Sequence, residues 1–212
     1  GIIGYIGNKE AMPILLRGLR RLEYRGYDSA GVAILQNGEI KRVRSVGKID
    51  SLAEKLKGHN MAGNIGIAHT RWATHCGVTE ANAHPHIAMQ GKLVLAHNGI
   101  IENYRELKER LKGVEFASDT DSEVLAHLIA SFYQGNLRQA VVKALSFVRG
   151  TYGIVVMHAD QPDILVAARM GSPLVVGLGD NEYYVASDAT PMLAYTKKVI
   201  FLEDAEVAEI NR

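Results

Sequence analysis

Apolar positions along this chain switch between a two-residue and a 3.6-residue period, and the switches predict its elements. Residues 2–6 are an apolar run bounded by Gly1 and Gly7 and read as a buried strand. From 10 to 24 the apolar residues Ile14, Leu15, Leu19 and Leu22 follow helical spacing, and Pro13 is tolerated in the first turn. Residues 29–35 and 39–46 flank Asn37-Gly38, a dipeptide suited to a type I′ turn because both residues accept positive φ, so a hairpin is expected. A short amphipathic helix follows over 49–56, then strands over 65–70 and 93–97. Asn103 with Glu106, and Thr120 with Glu123, have capping-box spacing for helices running to 111 and to about 133. Another helix is expected over 137–148. The remainder is β-rich: 153–158, 164–168, 174–176, 183–185, 199–202 and 207–210, with a brief helix near 191–195.

Strands thus cluster at both ends, with helices between. Regular βαβ alternation is absent, which argues against a doubly wound sheet. Two stacked sheets covered by helices fit the pattern. No internal repeat, low-complexity tract or Pro/Ser-rich linker breaks the chain, so residues 1–212 read as one domain.

Composition narrows the function classes. With 24 basic and 23 acidic residues and no long block of like charge, nothing points to nucleic acid. Lys41, Arg42 and Arg44 sit on an expected strand with Val43 between and read as a solvated face. No apolar run approaches the ~20 residues that span a bilayer. The single cysteine, Cys76, allows no internal disulfide, so the expectation is a soluble, cytoplasmic protein.

Three groups of residues carry candidate chemistry. His97-Asn98-Gly99 follows an apolar strand, where an Asn amide and an adjacent Gly N–H can converge as an oxyanion hole; a plain hairpin turn is the alternative. Arg71 ends one strand and Asp121 starts a helix. Together they have the chemistry to clamp an α-amino acid by its carboxylate and ammonium, though local charge and capping roles would also account for them. Residues 73–80 are small and polar and suit either a closing lid or an ordinary surface loop. His69, His75, His84, His86 and His97 invite a zinc test, but His-Pro-His is not a recurrent ligand spacing and no carboxylate or thiolate supports it, so no metal or cofactor is expected. His69 and His97 read instead as hydrogen-bonded core residues. Cys76 with a nearby histidine is a candidate nucleophile.

Residues 22–31 (Leu-Glu-Tyr-Arg-Gly-Tyr-Asp-Ser-Ala-Gly), 66–75 (Gly-Ile-Ala-His-Thr-Arg-Trp-Ala-Thr-His) and 82–86 (Asn-Ala-His-Pro-His), taken in order, resemble the glutaminase domains of the glucosamine-6-phosphate synthases. The resemblance covers the whole chain. It implies an α+β, four-layer αββα sandwich of two antiparallel sheets, the N-terminal-nucleophile hydrolase fold. It also implies hydrolysis of the glutamine side-chain amide to glutamate and ammonia. Asn98 and Gly99 would hold the oxyanion, and Arg25 and Gly26 would sit beside the nucleophile. Arg71 and Asp121 would grip the α-carboxylate and α-amine, while Trp72, Thr74 and His75 would line the site. Family members begin with a cysteine directly followed by Gly-Ile, so the nucleophile is expected just before Gly1, with its own α-amine as general base. Cys76 stands where the family usually has glycine. The resemblance further implies a sugar-phosphate isomerase domain as partner within a parent enzyme. That enzyme would be oligomeric and make glucosamine 6-phosphate from fructose 6-phosphate, whereas the domain alone would be monomeric. Two other readings stay open: a glutamine-binding domain without chemistry, and a hydrolase that uses Cys76.

Overall fold

Strand formation here follows burial on both faces, as in Ile2–Ile6, where all five residues are inaccessible to solvent. The computed structural model describes residues 1–73 and 76–212. Among the described residues there are twelve strands: β1 (Ile2–Ile6), β2 (Ser29–Gln36), β3 (Glu39–Val46), β4 (Ile65–Arg71), β5 (His86–Ala88), β6 (Leu93–Ile101), β7 (Gly150–His158), β8 (Ile164–Met170), β9 (Val175–Leu178), β10 (Tyr183–Ala186), β11 (Val199–Phe201) and β12 (Val207–Asn211). The five α-helices among them are α1 (Ala11–Arg21), α2 (Ile49–Lys57), α3 (Tyr104–Arg110), α4 (Asp121–Phe132) and α5 (Leu137–Leu145).

Two antiparallel sheets result. One runs β11-β9-β10-β1-β4-β2-β3 and the other β12-β8-β7-β6-β5. They stack through a dry layer that includes Ile2, Ile6, Ile65, Ile67, Val94, Ala96 and Val155. The outer face of the first sheet packs on α1 and α2 through Ile3, Tyr5, Leu15, Leu19 and Leu52. The outer face of the second packs on α4 and α5 through Leu93, Leu95, Leu125, Ile129 and Val141. This is the expected four-layer αββα sandwich. Each fully buried Leu or Ile contributes roughly 1.5–3 kcal/mol of transfer free energy, so three such layers hold the sheets in one register.

Local details depart from the sequence expectations for physical reasons. The first helix stops at Arg21, and Glu23–Arg25 forms a 3₁₀ turn that delivers Gly26 at φ +74°. The Asn37-Gly38 turn has φ +52° and +80°, the signs a type I′ turn requires. Asn103 does not cap its helix with its side chain. Its amide instead donates to the Phe147 carbonyl at 2.9 Å and accepts from the Arg149 N–H at 2.9 Å, closing the β6–β7 end of the second sheet. Thr120 does cap α4, accepting from the Glu123 N–H at 3.2 Å. The return half of that capping box goes elsewhere: Glu123 accepts from the Ala117 and Ser118 N–H groups at 2.9 and 2.7 Å. Arg42 and Arg44 alternate on one face of β3 and are half-buried, not freely solvated. Arg42 donates to the Pro85 carbonyl at 3.1 Å and Arg44 to the Ala81 and Ala83 carbonyls at 2.8 Å each, strapping residues 81–85 across the sheet. Among the described residues, no helix is long and apolar enough to cross a membrane.

Burial opposes ionisation of Glu123. The bonds it accepts from Ser118 and the Ala117 and Ser118 backbone, and the neighbouring His127, more than offset this and hold the carboxyl down at about 2. A depressed carboxylate stabilises the fold at pH above its unfolded value and loses that contribution as pH falls through the folded one. Glu123→Gln should therefore lower the unfolding free energy at neutral pH. The gap to wild type should close between about pH 4.5 and 2, as read by urea denaturation across that window. A gap that is constant with pH would show that the charge is not what holds the 117–123 turn.

Candidate active site

Alternation along β4 and β6 brings the strand-borne candidates together. On β4, His69 and Arg71 share the inter-sheet face with Ile65 and Ile67. On β6, Asn98 shares that face with Val94 and Ala96. The two sheets meet at this end through a hydrogen bond, with His69 Nε2 2.8 Å from Asn98 Oδ1. Here the apolar filling stops and a cavity of about 530 Å³ opens. All seven described candidates line it: Arg25, Gly26, Arg71, Trp72, Asn98, Gly99 and Asp121. Gly1 and Cys76 line it too. Thr74 and His75 lie outside the described residues.

Asn98 and Gly99 do not sit in a turn after the strand, as their position suggested. They lie inside β6, paired with Gly153 and Tyr152 of β7. Gly99 has φ +124°, and a Cβ there would stand 2.2 Å from the Thr151 carbonyl oxygen. Only glycine fits, because the conformation disfavours L side chains and the neighbouring backbone leaves no room. Asn98 lines the cavity, and its Oδ1 is engaged by His69.

Asp121 opens α4, where the helix N-terminus favours negative charge. Its Oδ2 accepts from the Ile101 N–H at 2.8 Å, which pins the carboxylate against the end of β6. Arg71 is only 7% exposed and, among its contacts, donates to the Gly77 carbonyl at 3.4 Å. A buried cation at the end of β4 and a buried carboxylate at the start of α4 thus stand around one hollow. Arg25 reaches Ser187 Oγ and Asp188 Oδ2, each at 3.4 Å, and Ser187 Oγ in turn accepts from the Ile2 N–H at 3.0 Å. The Trp72 ring lies over Gly26, 3.1 Å from where a Cβ would be.

The histidines form a buried row. His69 stacks on His84 at 4.1 Å between ring centres, and His84 meets His86 edge-on at 4.5 Å. His84 Nδ1 accepts from the His97 N–H at 3.4 Å, while His86 Nε2 lies 3.1 Å from Thr120 Oγ1. His97 Nδ1 is 2.7 Å from Ser122 Oγ. Burial holds His69 and His84 well below the usual imidazole range and His86 down at about 3. These rings stack and hydrogen-bond, and among the described residues no three His, Cys, Asp or Glu side chains are arranged to hold a metal.

The glutamine amidotransferase domain family matches residues 44–211. The chain belongs to that family. It is 53% identical to the glutamine–fructose-6-phosphate aminotransferase (isomerizing) of Chlorobaculum tepidum, over all of this chain and 36% of that protein. It is 52% identical to the enzyme of the same name from Thermus thermophilus, over all of this chain and 35% of that one. The chain therefore spans about a third of the length of the curated relatives it matches. The solved B. subtilis glutamine phosphoribosylpyrophosphate amidotransferase superposes on 99% of this chain and 48% of its own, with a TM-score of 0.81 at 26% identity. The two stacked sheets are the N-terminal-nucleophile hydrolase fold.

Several wall residues of this amidotransferase domain escaped the sequence reading. Ser172 and Pro173 line the cavity from the β8–β9 connection, and Thr151 from β7. The Gly171-Ser172-Pro173 turn was their only trace in the sequence. Cys76 has φ +70°, a conformation glycine adopts freely. Burial, opposed by Arg71 and reinforced by Asp119 and Asp121, pushes its thiol up, and Sγ lies 3.4 Å from the Asp119 carbonyl.

Gly99→Ala should cost the amidotransferase domain about 2 kcal/mol or more of stability, since strained backbone and contact with Thr151 add. Gly113→Ala, at φ +81° with open space around it, carries only the backbone part. Urea midpoints that are equal for the two variants would rule out the close β6–β7 approach as a constraint.

Proposed function

We propose that this cavity hydrolyses the side-chain amide of glutamine, with a cysteine directly ahead of Gly1 as nucleophile. The observation that carries the reading is strand parity. Gly1 and Thr70 exchange both backbone bonds, at 2.6 and 2.9 Å. One step back along β1 would stand opposite Arg71, on the face shared by Ile2 and His69. A side chain there projects between the sheets into the hollow that Arg71, Asn98 and Asp121 line. Position 1 itself suits glycine, because a Cβ would come within 2.9 Å of Leu22 Cδ1.

Arg71 holds the glutamine α-carboxylate and Asp121 the α-ammonium, which fixes the side-chain amide over the nucleophile. The amine of the N-terminal residue takes the thiol proton, and sulfur attacks the amide carbon. The oxyanion that forms is met by Asn98 Nδ2 and the Gly99 N–H. Ammonia leaves, and water hydrolyses the thioester to glutamate. Trp72, with Thr74 and His75, covers the substrate, while Arg25 and Gly26 flank the nucleophile.

Residues 1–212 act as one glutaminase domain of a cytoplasmic parent enzyme. By kinship with the relatives named above, that enzyme passes the ammonia to fructose 6-phosphate in a sugar-phosphate isomerase domain, making glucosamine 6-phosphate. Cys76 is the weaker nucleophile, since its surroundings raise the thiol and no free amine adjoins it.

The decisive test is ammonia release from glutamine by the chain with cysteine placed ahead of Gly1, with peptide mapping after a glutamine-like electrophile. Turnover that persists in Cys76→Ala, with the label on the added cysteine, supports the reading. Absence of turnover, or label confined to Cys76, refutes it. In the active form, Arg71→Ala should raise the glutamine KM by at least ~10-fold, the scale of a lost charge-assisted bond. Asn98→Ala should instead lower kcat by ~100-fold or more, the scale of one oxyanion donor. An unchanged KM in the first variant or near-normal kcat in the second would remove that residue from its role.

A further inference from the structure

An asparagine amide has two ends that look alike in shape and opposite in charge. Placed beside an oxyanion, its NH₂ stabilises and its carbonyl repels. Asn98 has no intrinsic reason to present the correct end to the cavity. The choice falls to whatever holds the other end, and in this fold that is His69, whose Nε2 lies 2.8 Å from Asn98 Oδ1 across the inter-sheet gap.

We propose that His69 is a positioning residue for the reaction: it carries its ring proton on Nε2 and donates it to Asn98 Oδ1, so that Nδ2 faces the cavity as the oxyanion donor. This rests on the glutaminase reading above and deepens it. Two further observations support the tautomer. His69 Nδ1 is buried with no protein partner among the described residues. A bare lone pair is tolerated in such a place better than a bare N–H, so the proton belongs on Nε2. The ring is also held in its plane by the stack on His84 at 4.1 Å, and His84 is tied through its Nδ1 to the His97 N–H, one residue before Asn98. Donor and acceptor are therefore fixed to the same stretch of β6 from both sides. Burial keeps the imidazole neutral, which matters because the other neutral tautomer would accept from Asn98 Nδ2 and turn the amide carbonyl toward the developing negative charge.

The test uses the full chain carrying cysteine ahead of Gly1. His69→Phe keeps a flat ring to stack on His84 but has no donor. It should lower kcat by ~10- to 100-fold, approaching the loss of the donor itself, with the glutamine KM within about threefold of wild type. Affinity for the γ-aldehyde analogue of glutamine, which forms a tetrahedral thiol adduct, should fall with kcat, while glutamate affinity stays put. His69→Gln, whose side-chain amide again places an N–H near Oδ1, should recover most of both. Equal losses of aldehyde and glutamate affinity, or a His69→Phe variant with wild-type kcat, would overturn the proposal. A long-range ¹H–¹⁵N spectrum of His69 in the unsubstituted chain gives an answer independent of turnover. A proton on Nδ1, or on both nitrogens, at neutral pH refutes the tautomer even if the glutaminase reading stands. If the parent chain released no ammonia while His69 showed Nε2–H, the fault would lie with the glutaminase reading alone.

Discussion

The site depends on the alternation of side chains along extended strands. In β1, β4 and β6 every second residue points into the gap between the sheets, and over most of that gap these residues are Ile, Val, Leu and Ala. At one end the same parity continues with His69, Arg71 and Asn98, and the gap changes from packed core to polar hollow without any change in backbone geometry. The cavity is thus an extension of the hydrophobic interface. Its walls inherit the rigidity of two sheets that are each backed by helices. A shift of one residue in β1–β4 pairing would send His69 and Arg71 to the helical face and dismantle the site at once.

Electrostatics divides the hollow into two kinds of wall. The charged side chains lining it are Arg71 on one sheet and Asp121 at the start of α4, which suit a zwitterionic ligand, and Arg25, which pairs with Asp188. The floor is built from imidazoles that burial keeps uncharged. Neutral rings in van der Waals contact cost little to bury when their nitrogens find partners, and most here do. A protonated row at the same spacing would repel itself and the Arg71 guanidinium. The four-layer packing therefore supports acid–base-neutral scaffolding around a strongly dipolar pocket.

Much of this was legible in the sequence. The alternating runs, the Asn37-Gly38 turn and the Thr120 cap are local signals, and each appears where the pattern placed it. The motif residues on β4, β6 and α4 were legible too, because their types carry chemistry. What was not legible depends on distant partners. Asn103 has the spacing of a capping residue, yet its amide serves Phe147 and Arg149, 44 and 46 residues away. Asn98 and Gly99 look like a turn but are held in the sheet by β7, some 50 residues later. Ser172 and Pro173 enter the cavity wall from a connection that says nothing of its neighbours. The outer strand β3 shows alternating basic residues, and a single sequence cannot tell a solvated guanidinium from one that has found a carbonyl.

Those guanidiniums change what counts as surface in this molecule. Arg42 and Arg44 stand on an edge strand but grip the carbonyls of Ala81, Ala83 and Pro85, and so seat His84 against His69. The hairpin margin supports the cavity floor from two strands away along the sheet. Charge at this edge is not free to drift: a lysine substituted for Arg44 would keep the sign but carry its ammonium on a different stem from the one that brings Nη1 to the Ala81 and Ala83 carbonyls. Anyone recolouring the exterior of this domain for solubility would be altering the geometry of its interior.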